Sequence, residues 1–98
     1  MNYSIEHRIN GNNRFGHDEI VSIGDHIVVK VYESSIDEYV DNPNYIFNDY
    51  EIKANGEIQG ILRQTGEPIV GMEALAVEFR DKTWMTIYFM DIEWFEKL

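Results

Sequence analysis

A two-residue hydrophobic period recurs along this chain in short runs separated by turn-forming residues, and it constrains the fold more than any other feature. Alternate side chains of an extended segment point to opposite faces, so a chain made of such runs must bury one face of an antiparallel sheet. The clearest run is near the C-terminal end, where Leu75, Val77 and Phe79 alternate with Ala76, Glu78 and Arg80. After the polar turn Asp81-Lys82-Thr83, the run WMTIYFM places Met85, Ile87 and Phe89 on one face and Trp84, Thr86, Tyr88 and Met90 on the other. The two runs read as a hairpin. Its second strand is apolar on both faces, so Trp84, Tyr88 and Met90 are expected to be covered by another chain segment or by a partner.

The same logic extends upstream. Gly24-Asp25 opens the run HIVVKVYES, in which Ile27, Val29 and Val31 share a face and Val28, Lys30 and Tyr32 the other; this is the first clear strand. Asn55-Gly56 lies between YEIKA and EIQGILRQ and is expected to form a two-residue type I′ turn of a second hairpin. Gly60 interrupts the alternation between Ile58 and Ile61 and is expected to mark a bulge or bend. Tyr3, Ile5, His7 and Ile9 alternate ahead of Asn10-Gly11, so residues 1–22 read as an N-terminal arm or an extra strand. Helix signals are confined to Ser35 to Asp41, where Ser34 or Ser35 caps a turn, and to Asp91 to Leu98, where Ile92 and Phe95 stand at helical spacing. The second predicts a short closing helical turn.

Ninety-eight residues, 44% of them hydrophobic, suffice for one core and are too few for two. The chain is therefore expected to be a single small domain over residues 1–98. With no cysteine, neither disulfides nor a cysteine-ligated zinc ion can hold it together. The first residues lack the apolar stretch of a signal peptide, and no run approaches the roughly 20 apolar residues that span a bilayer. A soluble, unprocessed, cytoplasmic protein is the expectation.

The order of these signals resembles that of small SH3-like barrels of the Tudor and chromatin-reader type: a strand opened by Gly24-Asp25, a Gly-containing strand from Gly56 to Leu62, a hairpin from Ala74 to Asp81 and Thr83 to Asp91, and a closing turn at Ile92. The likeness covers about Ile23 to Phe95, and Lys82 stands where glycine is usual in the third turn. It implies a mostly β fold of about five antiparallel strands, with residues 33–51 as a long acidic, aromatic insertion and a short C-terminal helical turn. In reader members of that group an aromatic cage accepts a methylated lysine or arginine. Tyr32 and Phe79 stand at comparable places, although Phe79 also belongs to the core-facing set.

Catalytic signals do not converge. His7, His17 and His26 lie in different segments and match no zinc spacing, and Asp37, Glu38 and Asp41 lack the glycine and the final glutamate of a calcium-binding EF-hand loop. Asn12-Asn13-Arg14-Phe15-Gly16 has too few glycines for a phosphate-binding loop. The expectation is a protein that is not an enzyme and holds neither a cofactor nor a metal.

What stands out is the stretch from Val31 to Ile52. It carries Glu33, Asp37, Glu38, Asp41, Asp49 and Glu51, the aromatics Tyr32, Tyr39, Tyr45, Phe47 and Tyr50, and no lysine or arginine. Eighteen acidic against eight basic residues give a net charge of −10, which repels phosphate backbones and anionic membranes and attracts basic partners. Two readings stay open. In one, the segment is a solvated connection whose apolar residues fold back over the sheet. In the other, Glu33, Asp37, Glu38, Asp41 and Asp49 supply fixed charge and Tyr39, Tyr45, Trp84 and Tyr88 supply contact area toward a basic, nucleic-acid-binding protein. Such a chain would act as a nucleic-acid mimic, an inhibitor similar in gross composition to phage anti-defence and toxin-immunity proteins, with no direct nucleic-acid or membrane binding. A peptide-binding or assembly module is the alternative, and the apolar C-terminal strand with Trp94 and Phe95 also fits a homodimer surface.

Overall fold

The structure, a computed structural model, describes residues 8–43, 48 and 50–98. Among the described residues, seven strands form two antiparallel sheets. β1 (Arg8–Asn12) and β2 (Asp18–Ser22) make a two-stranded hairpin. β3 (His26–Val31), β4 (Glu57–Ile69), β5 (Met72–Glu78), β6 (Trp84–Tyr88) and β7 (Ile92–Lys97) make a five-stranded sheet in the order β6-β5-β4-β3-β7. Between β3 and β4 the chain makes a 3-10 turn, Glu33–Ser35, and one helical turn, α1 (Ile36–Tyr39). The expected mostly β class holds. Closure into a barrel does not: among the described residues no pairing joins β6 to β7, and both remain edges of an open sheet.

The alternating residues set the core. Ile27, Val29 and Val31 of β3, Leu75 and Val77 of β5, Phe79 beyond it, and Met85 and Ile87 of β6 are all buried in one cluster, joined by Ile58 and Leu62 of β4. Each such side chain contributes about 1.5–3 kcal/mol through removal of apolar surface from water. β4 serves two neighbours in succession. Its residues Glu57 to Ile61 pair with β3, and from Ile61 onward it pairs with β5. Gly60 stays in register opposite Ile27, and the bulge expected there falls between Leu62 and Gln64 instead.

Three other expectations are corrected. The C-terminal helix is absent, because the turn lies upstream at Phe89–Asp91 and residues Ile92–Lys97 are a strand. Without β7 the second edge of β3 would leave a row of unpaired backbone groups over the core, and pairing it also seats Phe95 opposite Val29 at 5% exposure. The helical spacing of Ile92 and Phe95 was therefore a coincidence of two residues. The Asn55-Gly56 turn is wider than type I′: Gly56 N donates to Lys53 O at 2.9 Å, Lys53 N donates to Glu57 O at 2.9 Å, and Gly56 takes the left-handed φ of 92°. Its first arm is reduced to an isolated bridge between Ile52 and Ile58.

At the N-terminal end, β1 runs straight through Asn10-Gly11, and Tyr3, Ile5 and His7 lie outside the described residues. The turn sits further on, where the Asn13 side-chain oxygen accepts from Phe15 N at 2.9 Å and His17 N at 3.1 Å. Gly11 has a different task. A β-carbon there would stand 2.6 Å from the Phe95 ring, so the absence of a side chain lets the hairpin lie against that ring and bring Ile9 and Val21 into the core.

The β5–β6 turn carries a strain that the sequence signals. Phe79 N donates to Thr83 O at 2.8 Å and Lys82 N to Phe79 O at 3.0 Å, which forces Lys82 to a φ of 73°. A side chain in that region costs about 1–2 kcal/mol. Lys82→Gly should therefore raise stability by about 1 kcal/mol after the greater unfolded-state freedom of glycine is counted, a gain readable as a shift of several degrees in the thermal midpoint. An unchanged or lowered midpoint would mean that the turn relaxes around Lys82.

Candidate protein-binding surface

The acidic segment begins where β3 ends. Tyr32 N donates to the backbone oxygen of Asp91 at 2.9 Å, anchoring the start of the segment to the turn that precedes β7. Within the next turn Ser35 Oγ donates to Asp91 Oδ1 at 3.0 Å, and Tyr39 Oη donates to Asp91 Oδ2 at 2.5 Å. The same phenol oxygen accepts the backbone N–H of Tyr88 at 3.2 Å. Asp91 thus holds three points of the segment, two through its carboxylate and one through its backbone oxygen, and the Tyr39 hydroxyl ties the segment to β6. Ile36 and Val40 pack against the core beside the buried Tyr39 ring.

This anchoring sorts the expected contact residues. Tyr39 is 5% exposed, so its ring is core and it leaves the set of residues that offer area to a partner. Burial, reinforced by the bond to Asp91, pushes its hydroxyl well above the ordinary tyrosine value of about 10. Glu33, Asp37, Glu38 and Asp41 point the other way and are exposed. Among the described residues none of the four meets a cation: Arg14 pairs with Glu96, Lys30 with Glu93, Arg63 with Glu78 and Lys97 with Asp25. Tyr45 and Asp49 lie outside the described residues. Glu51, at the far end, is buried and accepts the backbone N–H of Arg80 on both oxygens at 3.2 and 3.1 Å. Its role is structural.

The C-terminal aromatics divide as well. Trp84 is 45% exposed and stands opposite Glu78 in the β5–β6 pairing, and Tyr88 is half-buried. Both line a cleft of about 270 Å³ between β6 and the acidic segment, with Glu38, Tyr39, Asn42, Met85 and Thr86 as the other walls. Trp94 is covered by this chain itself, because the Arg14 guanidinium lies 4.6 Å above its ring. An aromatic cage from Tyr32 and Phe79 is not formed: Tyr32 is exposed, and Phe79 is 2% exposed in the core.

A larger cleft of about 330 Å³ is lined by His26, Glu51, Glu78, Arg80 and Lys82, but Glu51 is engaged by the Arg80 backbone and Glu78 by Arg63. Among the described residues no three His, Cys, Asp or Glu side chains gather as metal ligands would. The residues that sequence reasoning missed are Ser35 and Asp91 as a bonded pair. They are 56 positions apart, and no local pattern links them. No protein-family model, no curated protein and no solved structure matches this chain.

The phenol of Tyr39 gives a direct test of the anchor. Tyr39→Phe strips Asp91 of a donor and Tyr88 N–H of its acceptor, and should cost about 1–3 kcal/mol in chemical denaturation. The folded phenol titrates above the unfolded one, so its contribution is complete below about pH 10 and is lost as pH rises beyond that value. Wild type should lose stability more steeply than the phenylalanine variant in alkaline solution; parallel curves would show that the hydroxyl is not held as described.

Proposed function

We propose that this protein is a non-catalytic, acidic binding module that docks on a basic surface of a partner protein, of the sort that holds nucleic acid, and blocks it. The observation that carries the reading is the pairing of order with unneutralised charge. Glu33, Asp37, Glu38 and Asp41 are exposed, no described cation meets them, and the turns that bear them are tied to the core through Asp91. An acid-rich segment kept only for solubility needs no such anchor. Carboxylates carried on a held backbone cost little backbone freedom on docking, and their combined field speeds encounter with a cationic groove. The net charge of −10 supports the same direction of attraction.

The SH3-like reading of the scaffold belongs to this proposal. A four-strand meander, β3 to β6, followed through a 3-10 turn by a fifth strand that pairs with the first supports it, as does the long β4 that pairs with β3 and then with β5. A partner-binding face built around the segment after the first meander strand fits such a scaffold. The cytoplasm is the compartment in which a nucleic-acid-blocking protein of this kind would act.

The test is capture of binding proteins from a native lysate by wild type and by the triple variant Asp37→Lys, Glu38→Lys, Asp41→Lys. The three side chains are exposed, so the variant should keep the wild-type circular dichroism spectrum. A true partner is retained by wild type at low salt, released toward 1 M salt where the screening length falls to about 3 Å, and ignored by the variant. Wild type should also displace nucleic acid from it. Binding that survives both salt and charge reversal would overturn the reading.

A further inference from the structure

The five-stranded sheet treats its two edges differently. β7 is sheltered by the N-terminal hairpin: Lys97 N donates to Glu19 Oε2 at 2.8 Å, and Arg14 N and Nε reach Glu96 Oε1 at 3.0 and 2.9 Å. On β6, among the described residues, no strand pairs with the outer side. Hydrogen-bond direction alternates along an antiparallel strand. Because the β5–β6 turn bonds Phe79 N to Thr83 O, residues Met85 and Ile87 face their β5 partners, and the backbone groups of Trp84, Thr86 and Tyr88 face outward. The Tyr88 N–H confirms the phase, since it is taken by the Tyr39 hydroxyl rather than by β5. Tyr39 therefore closes one end of the edge, and Thr86 lies at the middle of what remains.

We infer that the outer edge of β6 accepts an extended, lysine- or arginine-rich segment of a partner as an added strand. Strand addition needs an edge with outward N–H and C=O groups and side-chain pockets on either side of it. The cleft beside β6 supplies the pockets. Glu38 of α1 stands on one wall, Trp84 and Tyr88 on the strand itself, and no lysine or arginine lines it. Successive side chains of an added strand point alternately to opposite faces. A basic side chain on one face meets the Glu38 carboxylate; one on the other meets the rings of Trp84 and Tyr88, where a cation is attracted to the π face. A second copy of this chain fits the edge poorly. It would bring the Glu38 carboxylates of both copies to one seam and join two molecules of net charge −10. The proposal rests on the basic-partner reading above and specifies how that partner is gripped.

The experiment titrates the full chain with three blocked synthetic peptides of equal length: alternating lysine and threonine, the same sequence N-methylated at every residue, and alternating glutamine and threonine. The N-methylated peptide keeps the charge but lacks every backbone N–H, and the glutamine peptide can pair as a strand but has no charge. The lysine-threonine peptide is expected to bind about tenfold more tightly than either control, the worth of a hydrogen bond or two. Thr86→Pro, at an edge where proline is tolerated, should remove that advantage while the thermal midpoint stays near wild type. Should that variant fail to fold, slowed hydrogen exchange at the Thr86 amide of wild type on addition of the lysine-threonine peptide gives the same answer. Equal binding of the two lysine peptides overturns strand addition and leaves the electrostatic reading of the function intact. Equal binding of the glutamine peptide overturns the basic occupant, and no binding by any of the three overturns the edge as a site.

Discussion

The whole architecture depends on both edges of β3 being paired. Val29 has no exposed surface because β4 and β7 flank it and because its side chain faces Phe95 across the second of those pairings. β7 follows β6 in sequence, so the sheet cannot be completed until the meander of β4, β5 and β6 has been laid down and the chain has turned back. Contacts between such distant segments carry a large loop-closure cost in folding. Asp91, at that turn, is the residue through which the returning chain also fixes the acidic segment. One reversal of direction therefore completes the core and orders the surface beside it.

That double use explains why the segment after β3 is neither a free loop nor a fully buried element. Ile36, Tyr39 and Val40 pack inward, and Ser35 and Tyr39 bond to Asp91, while the carboxylates between them face water. The two readings left open by the sequence meet in one arrangement. The apolar residues do fold over the sheet, and by doing so they present the acids from a fixed base. Whether a surface of this kind is idle or engaged depends on a mate of opposite charge, and the cations of this chain are spread elsewhere.

Much of the fold was legible because burial follows period two. Ile27, Val29, Val31, Leu75, Val77, Met85 and Ile87 were assigned to the core from alternation alone, and each is buried. Lys82 was legible as an anomaly and has the positive φ that the missing glycine implies. What failed were inferences whose decisive partner lay far off in sequence. Ile92 and Phe95 looked helical because nothing nearby shows that β3 lacks a neighbour. Residues 1–22 could be read only as an arm or an extra strand because the Phe95 ring, which calls for Gly11, is more than 80 positions away. At the candidate surface, the four exposed acids were read from composition, but the side taken by Tyr39 stayed open because its acceptor, Asp91, is 52 positions distant.

The N-terminal hairpin has a standing of its own. The hairpin and β7 meet through the carboxylates of Glu19 and Glu96, through Arg14 over the Trp94 ring and through the flat contact of Gly11 with Phe95, and among the described residues no backbone ladder joins the two sheets. Side-chain bonds at a surface yield more readily than a ladder. The hairpin is nonetheless bound into the common core by Ile9 and Val21, so lifting it from Phe95 would return apolar surface to water. It lies at the β7 end of the strand order and the open edge is β6, so no hairpin residue borders the cleft beside that edge.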